Sequence, residues 1–310
     1  MDTDGSLRLD WREEFDLKTG YRLSIRTWTN GEDQTVTQPT NGTVATPTGL
    51  TMTSAGGDKY TATMKNGQQY SVRQEEWSVK TDYYLDAFVY NLPDLVEHVT
   101  STGNKLKRIL EIGIARGVLS IGMALLTDDD TAIVGVDIEE NAKLLATENA
   151  ALNGVASKID VRIGDFFEPV LEDELFDLIF GELPFIPVDP ALRHQYIADG
   201  HSSEILNISG GANGRDLVDT LITQGPRFLN SGGALLLIQP SFIGVERTME
   251  LLVEQGLEGR VLVSQEWLLD DTKFTRQSRG YIEGLNPLAF PKNAEGRDVF
   301  HLTIIMGVKN

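Results

Sequence analysis

Cysteine is missing from this chain of 310 residues, and basic residues are scarce. The absence of cysteine excludes disulfide bonds, thiolate metal sites and cysteine nucleophiles. Only 27 Lys and Arg residues stand against 46 Asp and Glu residues, which gives a formal net charge of -19 at pH 7. Because such a surface repels phosphate backbones, we expect no nucleic-acid partner. Amines, cationic small molecules and basic peptides would instead be attracted.

Long apolar runs are absent as well. No segment approaches the ~18 consecutive apolar residues that cross a bilayer. The first six residues, Met-Asp-Thr-Asp-Gly-Ser, have neither the basic start nor the apolar stretch of a signal peptide. These absences predict a soluble cytoplasmic protein with no membrane partner. The run Asp128-Asp129-Asp130 is typical of a solvated turn, so no metal is expected.

What is present divides the chain into three parts. Residues 1–76 are rich in Thr, Gly and β-forming residues, with tight-turn dipeptides such as Asn66-Gly67, and predict a small β-rich module. Residues 77–107 predict a helical linker or lid, with one helix after Asp82 and a second after Pro93. The aromatic residues of this part, including Tyr83 and Tyr84, either pack between the modules or cover a ligand cleft.

Residues 108–310 alternate apolar runs with helical segments. The runs predicted as buried strands are 109–112, 133–136, 159–161, 175–180 and 234–238, and the tail 299–306 is typical of a final edge strand. The predicted helices are 118–126, 141–152 and 217–229. This alternation predicts an α/β, Rossmann-like fold with a mostly parallel sheet covered on both faces.

A loop of small residues follows the first of these strands, Glu111-Ile-Gly113-Ile-Ala115-Arg-Gly117. Small side chains let the backbone approach a ligand closely, and the next helix presents its N-terminus to that ligand. The spacing differs from the Gly-x-Gly-x-x-Gly of dinucleotide-binding loops. Asp137 ends the second strand, where a carboxylate can accept two hydrogen bonds from a ribose diol. Asp165 and Phe166 follow the third strand.

These three segments, in this order, resemble the cofactor motifs of the class I S-adenosylmethionine-dependent methyltransferases. The resemblance implies a seven-stranded sheet and S-adenosylmethionine as the cofactor. It also implies that an acid at Asp165 holds the adenine amino group while Phe166 packs on the ring. The residues expected to bind the cofactor are Glu111, Gly113, Ala115, Gly117, Asp137, Ile138, Asp165, Phe166 and Glu182.

The loop after the fourth strand reads Glu182-Leu183-Pro184-Phe185. Together with the segment 210–238, it resembles the protein glutamine N5-methyltransferases, and that likeness covers residues 108–238. The family has Asn-Pro-Pro-Tyr at this place, and its Asn oxygen accepts a hydrogen bond from a planar amide nitrogen. An ionised Glu182 would instead pair with an ammonium group and remove its proton.

The resemblance therefore implies the fold and the cofactor but not the glutamine substrate. Glu182, with the carbonyl of Leu183, would orient the acceptor nitrogen, and Phe185 would stack on the substrate or face a sulfonium cation. The residues expected around the substrate are Tyr83, Tyr84, Phe185 and Tyr196. His194 and His201 could line the same pocket, although solvated loop positions suit them better. Glu182 could also be a structural carboxylate in a diverged loop.

Three functions fit this pattern. The first is an N-methyltransferase acting on an amine or amide of a small molecule or peptide. The second is a cyclase of methyltransferase fold, of the azetidine-2-carboxylate synthase type. It would consume S-adenosylmethionine by attack of its own amine and release methylthioadenosine. The third is a non-catalytic protein that binds the cofactor.

Overall fold

The computed structural model describes residues 8–16, 20–29, 32–37, 43–45, 51–55, 59–73, 83–101, 105–269 and 273–310. Side chains are described from residue 61 onward, except at positions 83, 86, 203, 204 and 273–277. No helix in these ranges is long and apolar enough to span a bilayer.

Seven strands before residue 74 form two antiparallel sheets. The first sheet has the order β1-β2-β3, and the second has the order β4-β5-β6-β7. Asn66-Gly67 closes the β6–β7 hairpin, and Gly67 adopts the left-handed conformation, with φ of 84°, that such a turn requires. The strands are β1 Arg8–Asp16, β2 Gly20–Thr29, β3 Glu32–Thr37, β4 Thr43–Ala45, β5 Thr51–Ala55, β6 Lys59–Thr63 and β7 Gln69–Arg73.

The remaining strands form one seven-stranded sheet in the order β10-β9-β8-β11-β12-β14-β13. The five strands from β10 to β12 run parallel, and β14 pairs antiparallel with both β12 and β13. This arrangement confirms the predicted Rossmann-like fold. The strands are β8 Arg108–Ile112, β9 Ala132–Asp137, β10 Ile159–Ile163, β11 Phe176–Gly181, β12 Leu229–Pro240, β13 Leu257–Leu268 and β14 Val299–Lys309.

The prediction of an edge strand at the C-terminal tail is wrong, because β14 lies between two other strands. Its residues Leu302, Ile304 and Ile305 are all nearly fully buried, and burial on both faces is typical of a central strand. The edge is occupied by β13, which carries charged residues such as Glu258 and Arg260. Charges on an edge strand discourage pairing with other chains and also hide the strand from a hydrophobicity pattern.

Helices cover both faces of the large sheet. The helices are α1 Tyr83–Thr100, α2 Val118–Leu126, α3 Glu140–Leu152, α4 Pro190–Ala198, α5 Ser202–Leu206, α6 Asp216–Gln224, α7 Val245–Glu254 and α8 Lys273–Leu285. The predicted helix over 217–229 ends early, since a 3-10 turn, Gly225–Phe228, follows α6 around Pro226.

The prediction of two short helices between residues 82 and 100 is also wrong. Helix α1 is continuous and contains Pro93. Its residues Phe88, Leu92 and Leu95 have no solvent exposure, and this burial outweighs the backbone hydrogen bond that a proline removes. Most of the helix therefore packs in the core. This agrees with the alternative in which its aromatic residues pack between modules.

Candidate active site

The loop between β8 and α2 forms a tight turn whose backbone is held at several points. Gly113, Ala115 and Gly117 have φ of 80°, 45° and 81°, so three of its residues adopt the left-handed conformation. Alanine is rare there, but its methyl group is small enough to be tolerated. Gly117 donates its N–H to the carbonyl of Ile114 at 2.7 Å and closes the turn.

The carboxylate of Asp137 anchors the same turn from the end of β9. It accepts the N–H of Ala115 at 2.7 Å on one oxygen and the N–H of Glu139 at 2.9 Å on the other. Burial raises the pKa of this carboxyl above its ordinary value, although the backbone donors favour the ionised form. Each oxygen keeps a lone pair, so the side chain retains capacity for two ligand hydroxyls.

Glu111 lies behind the turn and is only 2% exposed. Its carboxyl accepts the N–H of Ser120 at 3.0 Å and also the Ser120 hydroxyl, which ties it to the first turn of α2. Burial raises the pKa of Glu111 from an ordinary value of 4.5 to about 8, and the nearby Asp137 charge adds to the rise. A cation in the adjoining cavity would favour loss of this proton.

These residues border a cavity of about 730 Å³ at the carboxyl ends of the parallel strands. Ile138, which is 68% exposed, lines it beside Asp137, and Asp165 and Phe166 line it below β10. Phe166 is held with φ of 47°, in a turn that follows a hydrogen bond from Gly164 N to Asp137 O of 2.9 Å. The three loops predicted from sequence therefore meet at one cavity, although Gly117 itself is turned away toward α3.

The loop after β11 lies next to the glycine loop, because β11 pairs directly with β8. Glu182 is half-buried and lines the cavity together with Leu183 and Pro184. A Cβ on Gly113 would lie 3.6 Å from a methyl carbon of Leu183 and 3.9 Å from the carbonyl oxygen of Glu182. The two loops are therefore separated by little more than the space of one methyl group.

A second backbone segment, residues 208–211, pairs with this loop, and only its glycines mark it in the sequence. Ile186 donates its N–H to Ile208 O at 3.0 Å and accepts the N–H of Gly210 at 3.0 Å, and Val188 donates to Gly211 O at 3.0 Å. A Cβ on Gly210 would lie 2.7 Å from Cα of Phe185. Glycine is required here because two backbones approach more closely than any side chain allows.

Arg215 follows this segment in the chain and is only 6% exposed. Its guanidinium donates to the carbonyls of Ile243 at 2.8 Å and Gly244 at 3.0 Å, and to the Asp219 carboxylate at 2.6 Å. Thr248 completes the network through a bond of 3.1 Å to the same guanidinium. The next residue, Asp216, is exposed and lines the cavity.

Several predicted substrate residues lie elsewhere. Phe185 is 3% exposed and packs edge-on against Tyr84, with ring centroids 4.8 Å apart, so both stand behind the wall instead of in it. Tyr196 faces His201 at 6.1 Å between ring centroids and does not line the cavity either. The side chain of Tyr83 lies outside the described residues. Phe185 was expected at the substrate because it belongs to the predicted catalytic loop, but an apolar side chain at such a place can equally pack in the core.

Residues of α4, of the segment after α5 and of α1 line the cavity instead. Arg193 and His194 of α4 and Asn207 after α5 do so, as does Leu85 of α1. Arg193 escaped sequence reasoning because one arginine on a short polar helix resembles any surface arginine. Within the described ranges no group of three or more His, Asp or Glu side chains could hold a metal. Asp128 and Asp130 instead pair with Lys107.

The residues around the cavity suit S-adenosylmethionine. A sulfonium and an ammonium need negative neighbours, and Asp137, Asp165, Glu182 and Asp216 provide carboxylates around the cavity. Asp137 also has the acceptor capacity that a ribose diol needs. Ile138 and Phe166 supply apolar surface for a flat ring.

Comparisons with known proteins agree with this geometry. A family model described as O-methyltransferase matches residues 98–206. A protein of Methanocaldococcus jannaschii named "Putative protein N5-glutamine methyltransferase" is 35% identical over 156 residues, which cover 50% of this chain and 72% of that protein. A release factor glutamine methyltransferase of Geobacter sulfurreducens is 29% identical over 143 residues, or 46% of this chain and 48% of that protein.

A third relative is named for a different acceptor. The tRNA1(Val) (adenine(37)-N6)-methyltransferase of Photorhabdus laumondii is 30% identical over 146 residues, which cover 45% of this chain and 54% of that protein. The chain therefore spans about half the length of these last two relatives.

Proposed function

The chain belongs to the class I S-adenosylmethionine-dependent methyltransferases, in the group that includes the protein glutamine N5-methyltransferases, and we propose that it methylates a nitrogen. The acceptor would be an amine or amide of a small molecule or peptide. The observation that carries this proposal is the position of Glu182. Glu182 is half-buried and lines the same cavity as Leu183 and the glycine loop.

The residues of the chain would act by binding, orientation and proton removal. Asp137 and the Gly113–Gly117 turn would hold the cofactor, with Ile138, Asp165 and Phe166 around its adenine. When bound, S-adenosylmethionine would supply the methyl group from its sulfonium, and S-adenosylhomocysteine would be the second product. Glu182 would accept the proton of an ammonium acceptor and hold the nitrogen with its lone pair toward the cavity.

The charges of the cavity favour an amine. Glu139, Asp165 and Asp216 line it together with Glu182, and the whole chain carries a net charge of -19. A protonated amine is attracted to such a wall and loses its proton to Glu182 at the point of reaction. A neutral amide gains less from these carboxylates.

An amine is therefore the first candidate acceptor. A protein glutamine is the second, and the names of two relatives favour it. It would offer an amide nitrogen, which the carbonyl of Leu183 and an oxygen of Glu182 could also orient. The two candidates are separated by assaying S-adenosylhomocysteine formation with a panel of small amines, basic peptides and glutamine-containing peptides. Turnover with amines alone supports the first candidate, turnover with glutamine peptides alone supports the second, and turnover with none of them contradicts the proposal.

Incubation with S-adenosylmethionine and no acceptor tests the chemistry itself. A methyltransferase forms no methylthioadenosine under these conditions, whereas a cyclase would release it. A non-catalytic protein would form neither methylthioadenosine here nor S-adenosylhomocysteine when acceptors are added. Rapid formation of methylthioadenosine in this experiment would overturn the proposed methyl transfer.

The role of Glu182 is tested by Glu182→Gln, with Glu139→Gln as a control that removes another carboxylate from the same cavity. We expect Glu182→Gln to lower the single-turnover rate at saturating cofactor by roughly 100-fold, the usual contribution of a positioned base, while S-adenosylhomocysteine affinity changes little. Glu139→Gln should leave that rate near the wild-type value. Loss of cofactor affinity with unchanged turnover of the bound complex would show that Glu182 does not act on the acceptor.

A further inference from the structure

Two asparagines on α3 bind the exposed edge of β7 in the same way. Asn153 accepts the N–H of Ser71 at 3.1 Å and donates to Ser71 O at 2.7 Å. One turn earlier, Asn149 accepts the N–H of Arg73 at 2.7 Å and donates to Arg73 O at 3.2 Å. Each side-chain amide thus takes the place of a neighbouring strand, and the β6–β7 hairpin is docked on α3 through its backbone.

Asn149 makes one bond that Asn153 does not. Its amide nitrogen also donates to the backbone carbonyl of Arg116, at 2.9 Å, and the whole side chain is fully buried. Arg116 lies between Ala115 and Gly117, two of the three left-handed residues of the cofactor turn. One amide therefore joins the N-terminal hairpin to the loop that borders the cofactor cavity.

Other bonds hold this turn from the sheet side, since Gly113 and Ile114 donate their N–H groups to Val136 O at 2.8 and 3.0 Å. Asp137 holds it through Ala115 N, and Ile114 closes it through Gly117 N. Among the hydrogen bonds described for this turn, only the one from Asn149 reaches the Arg116 carbonyl. A left-handed residue on each side makes the backbone here costly to maintain, so a lost bond favours other loop conformations.

We propose that Asn149 is a positioning residue that makes cofactor affinity depend on the docking of the β6–β7 hairpin. The proposal rests on the assignment of the Gly113–Gly117 turn to cofactor binding and is independent of the acceptor. When the hairpin is docked, Arg73 fixes the amide of Asn149, and that amide in turn fixes the Arg116 carbonyl. Release of the hairpin frees the amide and loosens the turn, which weakens cofactor binding.

The matched pair Asn149→Ala and Asn153→Ala tests this directly. Both variants lose two hydrogen bonds to β7, so both should lower the melting temperature. Binding of S-adenosylhomocysteine, measured by calorimetry, should weaken about fivefold or more in Asn149→Ala, as expected for one buried hydrogen bond that positions the loop. In Asn153→Ala it should change less than twofold. Equal changes in the two variants, or no change in either, would overturn the proposal.

A second pair reaches the same coupling without touching α3. Arg73→Pro removes the N–H that Asn149 accepts, and Arg73→Ala is its control because both lose the side-chain ion pair with Glu148. Proline is tolerated at a strand edge whose N–H does not bond to another strand. Relative to Arg73→Ala, Arg73→Pro should weaken S-adenosylhomocysteine binding about two- to threefold.

The double variant completes the experiment. In the Asn149→Ala background, Arg73→Pro should add nothing further to the loss of affinity, because the amide that transmits the effect is gone. Additive losses would mean that the hairpin acts on the cofactor by another route, and the proposal would then be wrong. Since the measurement is binding, a failure here leaves the proposed methyl transfer to its own tests.

Discussion

Replacing Glu111 by Gln should remove a pH dependence of stability that is built into the cofactor site. The folded protein raises the pKa of this carboxyl from an ordinary value of 4.5 to about 8, chiefly through burial. Between these values the folded protein holds the proton that the unfolded chain has released. Stability must therefore fall as pH rises from about 4.5 toward 8 and change little above it.

The magnitude follows from the two pKa values. Each pH unit inside the window costs up to about 1.4 kcal/mol, because folding takes up one proton. From pH 6 to pH 8 the loss is about 2 kcal/mol, since the slope is halved near the folded pKa. Glutamine does not titrate and can still accept the Ser120 N–H, so Glu111→Gln should lack this loss.

The measurement is urea unfolding of the wild type and the variant at pH 6 and pH 8. The difference between the two proteins should shift by about 2 kcal/mol in favour of the variant at the higher pH. Glu174→Gln is the control. Hydrogen bonding from Arg162 holds the pKa of Glu174 down, to about 2, so it is ionised in both states throughout this range. Its cost to stability should be the same at both values of pH.

A constant difference between wild type and Glu111→Gln across this range would refute the reasoning. It would mean that Glu111 stays ionised in the folded protein despite its burial, with the Ser120 bonds dominating the desolvation.

Three further outcomes are expected. Binding of S-adenosylmethionine near pH 7 should release a proton, because its positive charge lowers the pKa of Glu111; calorimetry in buffers of different ionisation enthalpy measures this, and Glu111→Gln should release none. Gly214→Ala should destabilise the protein far more than Gly200→Ala in urea unfolding. Both positions have positive φ, worth about 1–2 kcal/mol, but only the first places a Cβ against backbone, the carbonyl oxygen of Phe185. Arg215→Met should cost about 2–4 kcal/mol in the same assay, because the carbonyls of Ile243 and Gly244 would both lose their guanidinium donor.

The parallel part of the sheet was predictable because burial on both faces leaves continuous apolar runs. Strands β8, β9, β11 and β12 contain mostly apolar runs of this kind, and α2 matches its predicted bounds of residues 118–126. Strand β10 lies at the sheet edge and alternates apolar with charged residues. The half-exposed edge strand β13 mixes charged and apolar residues and gave no pattern. The continuity of α1 through Pro93 depends on tertiary burial, which no local rule contains.

The candidate site divides in the same way. Residues that act through backbone geometry, such as Gly113 and Ala115, stand in a loop whose spacing is visible in sequence. The pairing of Ile186 and Val188 with 208–211 joins segments about twenty residues apart, and only the fold brings them together. Phe185 was expected to face the substrate but packs against Tyr84. The sequence shows that this residue is apolar, but it does not show the direction in which the side chain points.

That pairing also bears on how this enzyme can change. Residues 189–207 leave the body of the protein beside Val188 and return beside Ile208, and main-chain hydrogen bonds close both ends. Such bonds do not depend on side-chain identity, so residues 189–207 can be substituted without altering the sheet or the cofactor loops. Arg193, His194 and Asn207, which line the cavity, all lie within residues 189–207. Substitutions in this segment would therefore change one part of the cavity lining while Glu182, Asp165 and Asp216 stay in place.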